Sequence, residues 1–341
     1  MKAMVINGTH DLSKDTEPLA PVQVPVPVPA EGEILIKVLA CGVCHTELDE
    51  IEGRTAPPRF PVIPGHEVVG TVEALGKNAV RHSVGARVGV GWIFSACGEC
   101  EYCRSERENL CPAFRATGRD ANGGYAEYMT VPETSAYPVP AYLSNAEAAP
   151  LLCAGGVGYR SLRLAYVGED SRLGLTGFGA SGHLVLKLAR YLYPRLTIFV
   201  FARSPEQRDF ARELGAAWAG PSEERPPALC DAIIDTTPVW KPVVLALSNL
   251  KPGGRLVINA IRKEDADKNC LLDLEYQRQL WMEKEVKSVA NVTRRDIEDF
   301  LQVAGRAGIK PEVSEYKLEQ ANQVLLELKQ GSIRGAKVLI P

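Results

Sequence analysis

Four cysteines, Cys97, Cys100, Cys103 and Cys111, carry the clearest chemistry in this chain. Their C-x2-C-x2-C-x7-C spacing puts four thiolates on one short loop. They can close tetrahedrally around a single Zn²⁺ at ~2.3 Å per bond. A disulfide cluster is the alternative, and the N-terminus argues against it. MKAMVINGTH has no apolar stretch of the signal-peptide kind and reads as an opening strand. The chain is therefore expected in the reducing cytoplasm, where clustered cysteines favour metal. A second group is formed by CGVCHTE (41–47), PGHE (64–67) and Cys153 in LLCAGG. Two thiolates and one imidazole from this set can hold Zn²⁺ with one position left open, which a filled four-cysteine site cannot do.

A third constellation is Gly177-Phe178-Gly179-Ala180-Ser181-Gly182, directly between the strand-like RLGLT and the helical HLVLKLARYLY. In that setting Gly177 allows the tight turn, Gly179 lets backbone approach a pyrophosphate, and Gly182 lets helix pack on strand. The free N–H groups of the helix start then face the phosphate charge. About twenty residues further on, an NAD-specific site carries an acid for the adenosine ribose. Here IFVF ends in Ala202-Arg203-Ser204, with no carboxylate and one guanidinium. An arginine pairs a 2′-phosphate that an acid would repel, so NADP(H) is favoured over NAD(H). Glu206 is explained as a first-turn acid of a helix capped by Ser204 and opened by Pro205.

These sites need two kinds of scaffold. The first 150 residues are rich in Gly and Pro with short β-type runs at 33–39, 67–72 and 87–92, and Pro21–Pro29 reads as extended or edge chain. EAAPLLCAGGVGYRSLRLAY (147–166) reads as a short helix, a glycine-loosened turn and a second helix. Beyond it apolar strands at 172–176, 197–201, 232–235, 255–259 and 286–290 alternate with helices, which indicates a doubly wound parallel sheet. The last fifty residues return to mixed short elements ending in a strand at 336–340. The expected architecture is α/β: a Rossmann-type cofactor domain (153–289) inserted into a mainly β domain (1–152 and 290–341) that carries the zinc lobe at about 95–113. A length of 341 residues suits this two-domain plan. A net charge of −3 without a basic stripe offers nothing to nucleic acid, and no apolar run reaches the ~18 residues of a membrane span.

In order, CGVCHTE, PGHE, the four-cysteine lobe, DANGGYAEY, AAPLLCAG and GFGASG resemble the zinc-containing medium-chain alcohol dehydrogenases, particularly the bacterial members. The resemblance spans nearly the whole chain and implies a GroES-like catalytic domain, reversible oxidation of primary or secondary alcohols, two zinc ions per chain and a homo-oligomer, tetramer or dimer. It implies Cys44, His66 and Cys153 as catalytic zinc ligands, a Cys2His set that belongs to the family. Glu67 matches a residue that approaches the metal during ligand exchange. Glu47 matches an acid that holds His66 in its tautomer, and Thr46 the hydroxyl that removes the substrate proton. His45 matches a residue near the cofactor pyrophosphate, and Trp92 a wall of the substrate pocket.

Two positions depart from the family pattern. Asp49 stands where many relatives end a proton relay with histidine, and its unperturbed pKa of ~3.9 suits that task poorly. Val157 stands where relatives carry a threonine beside the nicotinamide. The polyol and sugar dehydrogenases of the same architecture are the alternative function, and they often replace the third protein ligand with a carboxylate. Cys153 argues against them.

Overall fold

The eleven-residue strand Glu33–Val43 organises the first of two units. Its residues are buried almost without interruption because strands pair with it on both sides. Val68–Leu75 runs antiparallel along one edge; Ala336–Ile340 and Tyr128–Pro132 pair antiparallel with its two ends. The sheet continues through Arg87–Val90 to Ala136–Pro138, and through Ala336–Ile340 to Val313–Lys317. Ile34, Ile36 and Val38 pack with Met129, Val131, Val324 and Leu325 into one core. A computed structural model describes residues 1–331 and 335–341. In it this first unit comprises Met1–Cys153 and Val292–Pro341, and the second comprises Ala154–Asn291.

The second unit is a six-stranded parallel sheet ordered Trp218–Gly220, Thr197–Phe201, Arg172–Thr176, Cys230–Asp235, Leu250–Ile258, Glu285–Ser288. Leu173, Leu175, Ile198, Val200, Ile233, Ile234 and Val257 are all buried, as expected of strands covered on both faces. Helices Ala154–Ala165 and Ala180–Leu192 pack together where Gly158 meets Val185. The fold is the expected one, a GroES-like domain with an inserted Rossmann domain. No helix of the described residues is long and apolar enough to cross a membrane.

The glycine-loosened turn expected within 147–166 is a correction. Gly155, Gly156 and Gly158 lie inside the helix Ala154–Ala165, and the missing side chain of Gly158 admits the close approach of Val185. The break falls earlier. Pro150 sits in the short 3-10 helix Ala149–Leu152, and Cys153 leaves helical geometry at φ −124°, ψ −78°. The unit boundary follows that break. Cys153 closes the first unit instead of opening the second, because its buried thiol belongs to a side-chain cluster of the first unit.

Candidate functional site

Strand Glu33–Val43 delivers the chain into helix His45–Ile51, and Cys44 stands between them as the helix cap. The Cys44 Sγ accepts from the Thr46 N–H at 3.5 Å, while the Glu47 carboxylate accepts from the Cys44 N–H at 2.8 Å. Glu47 has a second task. Its other oxygen accepts from the His66 Nδ1–H at 2.7 Å, and both side chains are almost fully buried. That bond fixes the imidazole tautomer and leaves Nε2 buried with no protein partner among the described residues. One carboxylate thus sets both the helix start and the ring orientation.

Donor atoms of Cys44, His66, Glu67 and Cys153 all lie within 4.8 Å of one another. The adjacent Cys153 thiol, and then His66, hold the Cys44 thiol well below its ordinary range. Burial drives the Glu67 carboxyl well up, helped by the nearby Cys44 charge. A thiolate, a second thiol, an orphaned imidazole nitrogen and a buried carboxyl at this spacing form a donor set suited to Zn²⁺. Gly42 makes room for it: a methyl group there would overlap the Glu67 carboxylate. Cys41 is fully buried and does not join the cluster.

The remaining residues expected in this region separate by position. The Thr46 hydroxyl lies 3.4 Å from Cys44 Sγ and is buried. Trp92, also buried, stands edge-on to the His66 ring at 5.0 Å with an interplanar angle of 81°. His45 is exposed at the helix start. Asp49 is buried, but Arg54 engages its carboxylate at 2.7–2.8 Å, outside the metal-donor group.

The four-cysteine lobe hangs from a two-stranded stem, Ile93–Ser95 paired with Arg115–Ala116. Cys97, Cys100, Cys103 and Cys111 bring their sulfurs within 4.8 Å of one another. Backbone N–H groups point at them: Cys100 N to Cys97 Sγ at 3.4 Å, Cys103 N to Cys100 Sγ at 3.5 Å, and Cys97 N to Cys111 Sγ at 3.5 Å. The N–H groups of Glu99 and Cys100 bring the Cys97 thiol down to about 6, which favours its metal-binding thiolate form. This arrangement also fits Zn²⁺, with all four positions taken by protein. Two residues tie the lobe to helix Arg294–Ala307. Buried Glu108 accepts from the Arg294 N–H at 2.6 Å, and Glu106 pairs with Arg295 at 2.6 Å.

In the second unit, Gly177 takes φ +80° at the end of Arg172–Thr176, a conformation side chains disfavour. Gly179 caps the helix that contains buried Gly182. Ala202 is buried at the end of Thr197–Phe201, Arg203 is exposed, and the Ser204 hydroxyl accepts from Gln207 N at 3.2 Å. Val157 is buried in helix Ala154–Ala165.

Sequence reasoning missed two residues here. The Arg208 guanidinium folds back to the carbonyls of Ala202 and Arg203 at 2.9 and 2.8 Å, placing a second cation at that strand end. Its position four residues after Ser204, on the same helix face, was the available signal. Glu50 is buried with both carboxylate oxygens unpartnered among the described residues, and its pKa is pushed well up by burial and then by Glu47. The i, i+3 and i, i+4 spacings place it on the helix face of Glu47 and Thr46.

A family model for the alcohol dehydrogenase GroES-like domain matches residues 30–141. The chain is 44% identical over 332 residues to the probable alcohol dehydrogenase AdhA of Mycobacterium tuberculosis, covering 96% of this chain and 94% of that protein. It is 34% identical over 348 residues to an alcohol dehydrogenase of Geobacillus stearothermophilus, covering 99% and 98%. Among solved structures, a cinnamyl alcohol dehydrogenase from Sorghum bicolor matches with a TM-score of 0.84 at 27% identity, over 99% of this chain and 97% of that one. The structure described as CAD from Helicobacter pylori complexed with NADP(H) matches with a TM-score of 0.87 at 22% identity, again over 99% and 97%, a likeness of fold.

Proposed function

The chain belongs to the zinc-containing medium-chain alcohol dehydrogenase family, and on that premise we propose that it interconverts primary or secondary alcohols with aldehydes or ketones through hydride exchange with NADP(H). The observation that carries this reading is the buried donor group Cys44, His66, Glu67 and Cys153, with the His66 Nε2 left without a protein partner. Cys44, His66 and Cys153 are the ligands of the catalytic zinc, and Cys97, Cys100, Cys103 and Cys111 those of the structural one. A cysteine at position 153, where a carboxylate often stands in the polyol and sugar enzymes, speaks against that alternative. Zinc held by the first set supplies Lewis acidity, which lowers the pKa of an alcohol oxygen and stabilises negative charge developing on it.

The chain's own side chains do the rest. Glu67, within the same donor group, is the carboxylate that would stand by to approach a zinc held by Cys44, His66 and Cys153. Glu47 keeps His66 in the tautomer that presents Nε2, so the ligand needs no reorganisation. The Thr46 hydroxyl hydrogen-bonds the substrate oxygen and relays its proton, releasing its own as it accepts the substrate's. Trp92, packed on the His66 ring, narrows the approach and selects slim or planar substrates. Asp49 is a poor continuation of the proton path because its carboxylate is already held by Arg54; water is the better outlet. Thr46→Ala is expected to lower turnover about a hundredfold or more, on the usual scale for a lost proton-transfer group, and Asp49→Asn by only a few fold. Steady-state rates at saturating alcohol check both. A Thr46→Ala enzyme as fast as the wild type removes Thr46 from the mechanism.

In the second unit, Gly177, Gly179 and Gly182 hold the pyrophosphate, and Val157 walls one face of the nicotinamide. NADP(H) preference is supported by Arg203 and Arg208 together with the absence of an acid at Ala202. Glu206 is turned to its own helix start, where its backbone N–H and Ser204 keep its carboxyl below the ordinary range. Wild-type kcat/KM is expected to be about tenfold or more higher with NADP⁺ than with NAD⁺, and Ala202→Asp should reverse the preference. A wild type that prefers NAD⁺ ends this part of the reading.

A homo-oligomer, dimer or tetramer, in the cytoplasm completes the proposal. The edge strand Glu285–Ser288 is exposed along its length beside exposed Trp281 and Met282, and an open edge of that kind is suited to pairing with a second copy. Sedimentation as a monomer would contradict it.

A further inference from the structure

The second unit contains one buried ion pair that the mechanism does not use. Asp235, the last residue of strand Cys230–Asp235, is fully buried, and its partner Lys263 is nearly so. The place is unusual for an acid. Cys230–Asp235 lies next to Arg172–Thr176, and the strand order reverses between these two strands. The carboxyl ends of strands at such a reversal form the crevice where open parallel sheets hold their ligands. A dinucleotide brings two phosphate charges to that crevice, and an uncompensated carboxylate there would oppose them.

The surroundings show how the acid is tolerated. Asp235 Oδ1 accepts from the hydroxyls of Thr176 at 2.6 Å and Thr237 at 2.8 Å, and more weakly from the Thr237 N–H at 3.4 Å. Oδ2 accepts from the Lys263 ammonium, which also donates to the Thr237 carbonyl at 2.6 Å. The turn so fastened is the neighbour of the glycine loop. Thr236 donates from its N–H and its hydroxyl to the Thr176 carbonyl at 2.9 and 3.0 Å. A Cβ at Gly177 would stand 2.7 Å from the Thr236 hydroxyl and 3.0 Å from a Thr237 methyl. Lys263 therefore fixes the wall against which the first glycine of the loop is folded, and cancels the charge in that wall.

We propose that Lys263 is a positioning residue for the dinucleotide, holding the Asp235–Thr237 turn against Gly177 and keeping the crevice electrically neutral toward the pyrophosphate. The inference rests on the reading that this unit binds a nicotinamide dinucleotide. It makes the two members of one ion pair act on affinity with opposite sign. Removing the cation leaves a buried anion facing the phosphates, whereas removing the anion leaves a cation that attracts them. Damage to packing alone would weaken binding in both cases.

The test is NADPH affinity, read from nicotinamide fluorescence on zinc-loaded full-length protein, in the wild type, Lys263→Met, Asp235→Asn and the double variant. Lys263→Met is expected to raise Kd about tenfold or more. Asp235→Asn should leave it unchanged or lower it at low salt, and the double variant should return to within about threefold of wild type. Wild-type affinity in Lys263→Met overturns the proposal, as does a double variant as weak as Lys263→Met. If Lys263→Met does not fold, Asp235→Asn decides: a tenfold loss there overturns the proposal, and equal or tighter binding upholds it. A wild type that binds neither NADPH nor NADH fails at the cofactor reading itself, and the inference falls with it.

Discussion

Replacing Cys44 with serine is expected to lower turnover about a thousandfold or more while leaving the protein folded. The two halves of that expectation come from different properties of the same atom. As a metal donor, a serine hydroxyl is harder and far less acidic than the Cys44 thiol, which its neighbours already hold well below the ordinary thiol range. The donor group would keep His66, Glu67 and Cys153 but lose its most ready anion. As a helix cap, serine is a better residue than cysteine, so helix His45–Ile51 should start where it does now. Zinc content should fall from two per chain to one, with an unchanged circular dichroism spectrum. Full zinc content with full activity would place the catalytic ligands elsewhere.

Cys103→Ser should do the reverse. The lobe is half exposed and hangs on a two-stranded stem, so little apolar burial holds it in shape. Without its metal the loop should loosen, and with it the bonds from Glu108 and Glu106 to the start of helix Arg294–Ala307. The Thr293 and Asp296 capping box holds that helix from its own side but does not replace the lost contacts. An apparent Tm lower by about 10 °C is expected, with turnover per folded molecule close to wild type at low temperature. A stable Cys103→Ser protein without activity would mean that the roles of the two metal sites are interchanged.

Local pattern made much of this legible. The strands 172–176, 197–201 and 336–340 end where their apolar runs end, and GFGASG sits between strand and helix as its glycines require. Two kinds of information were not local. Gly155, Gly156 and Gly158 look like a turn in the sequence, and only the neighbouring helix, with Val185 against Gly158, shows why glycine is helical there. Asp49 is already ill suited to the relay by its carboxyl chemistry, but that Arg54 holds it is visible only in the fold. Glu50, Arg208 and the Asp235–Lys263 pair carry no motif at all. Each is defined by what surrounds it: an apolar burial, a strand end, a crevice between two strands that are far apart in sequence. Cys41 and Cys44 are the finer case. Spacing cannot choose between two thiols three residues apart, whereas the helix cap places Cys44 among the donors and leaves Cys41 buried in the strand.

The most direct test of the central claim is nicotinamide absorbance, followed with NADP⁺ and a panel of primary and secondary alcohols, on protein as purified, after chelation, and after zinc is returned. Reduction of NADP⁺ that requires an alcohol, disappears on chelation and returns with zinc is the predicted result. Activity untouched by removal of all zinc, or no alcohol-dependent reduction of either nicotinamide cofactor by zinc-replete protein, would contradict it.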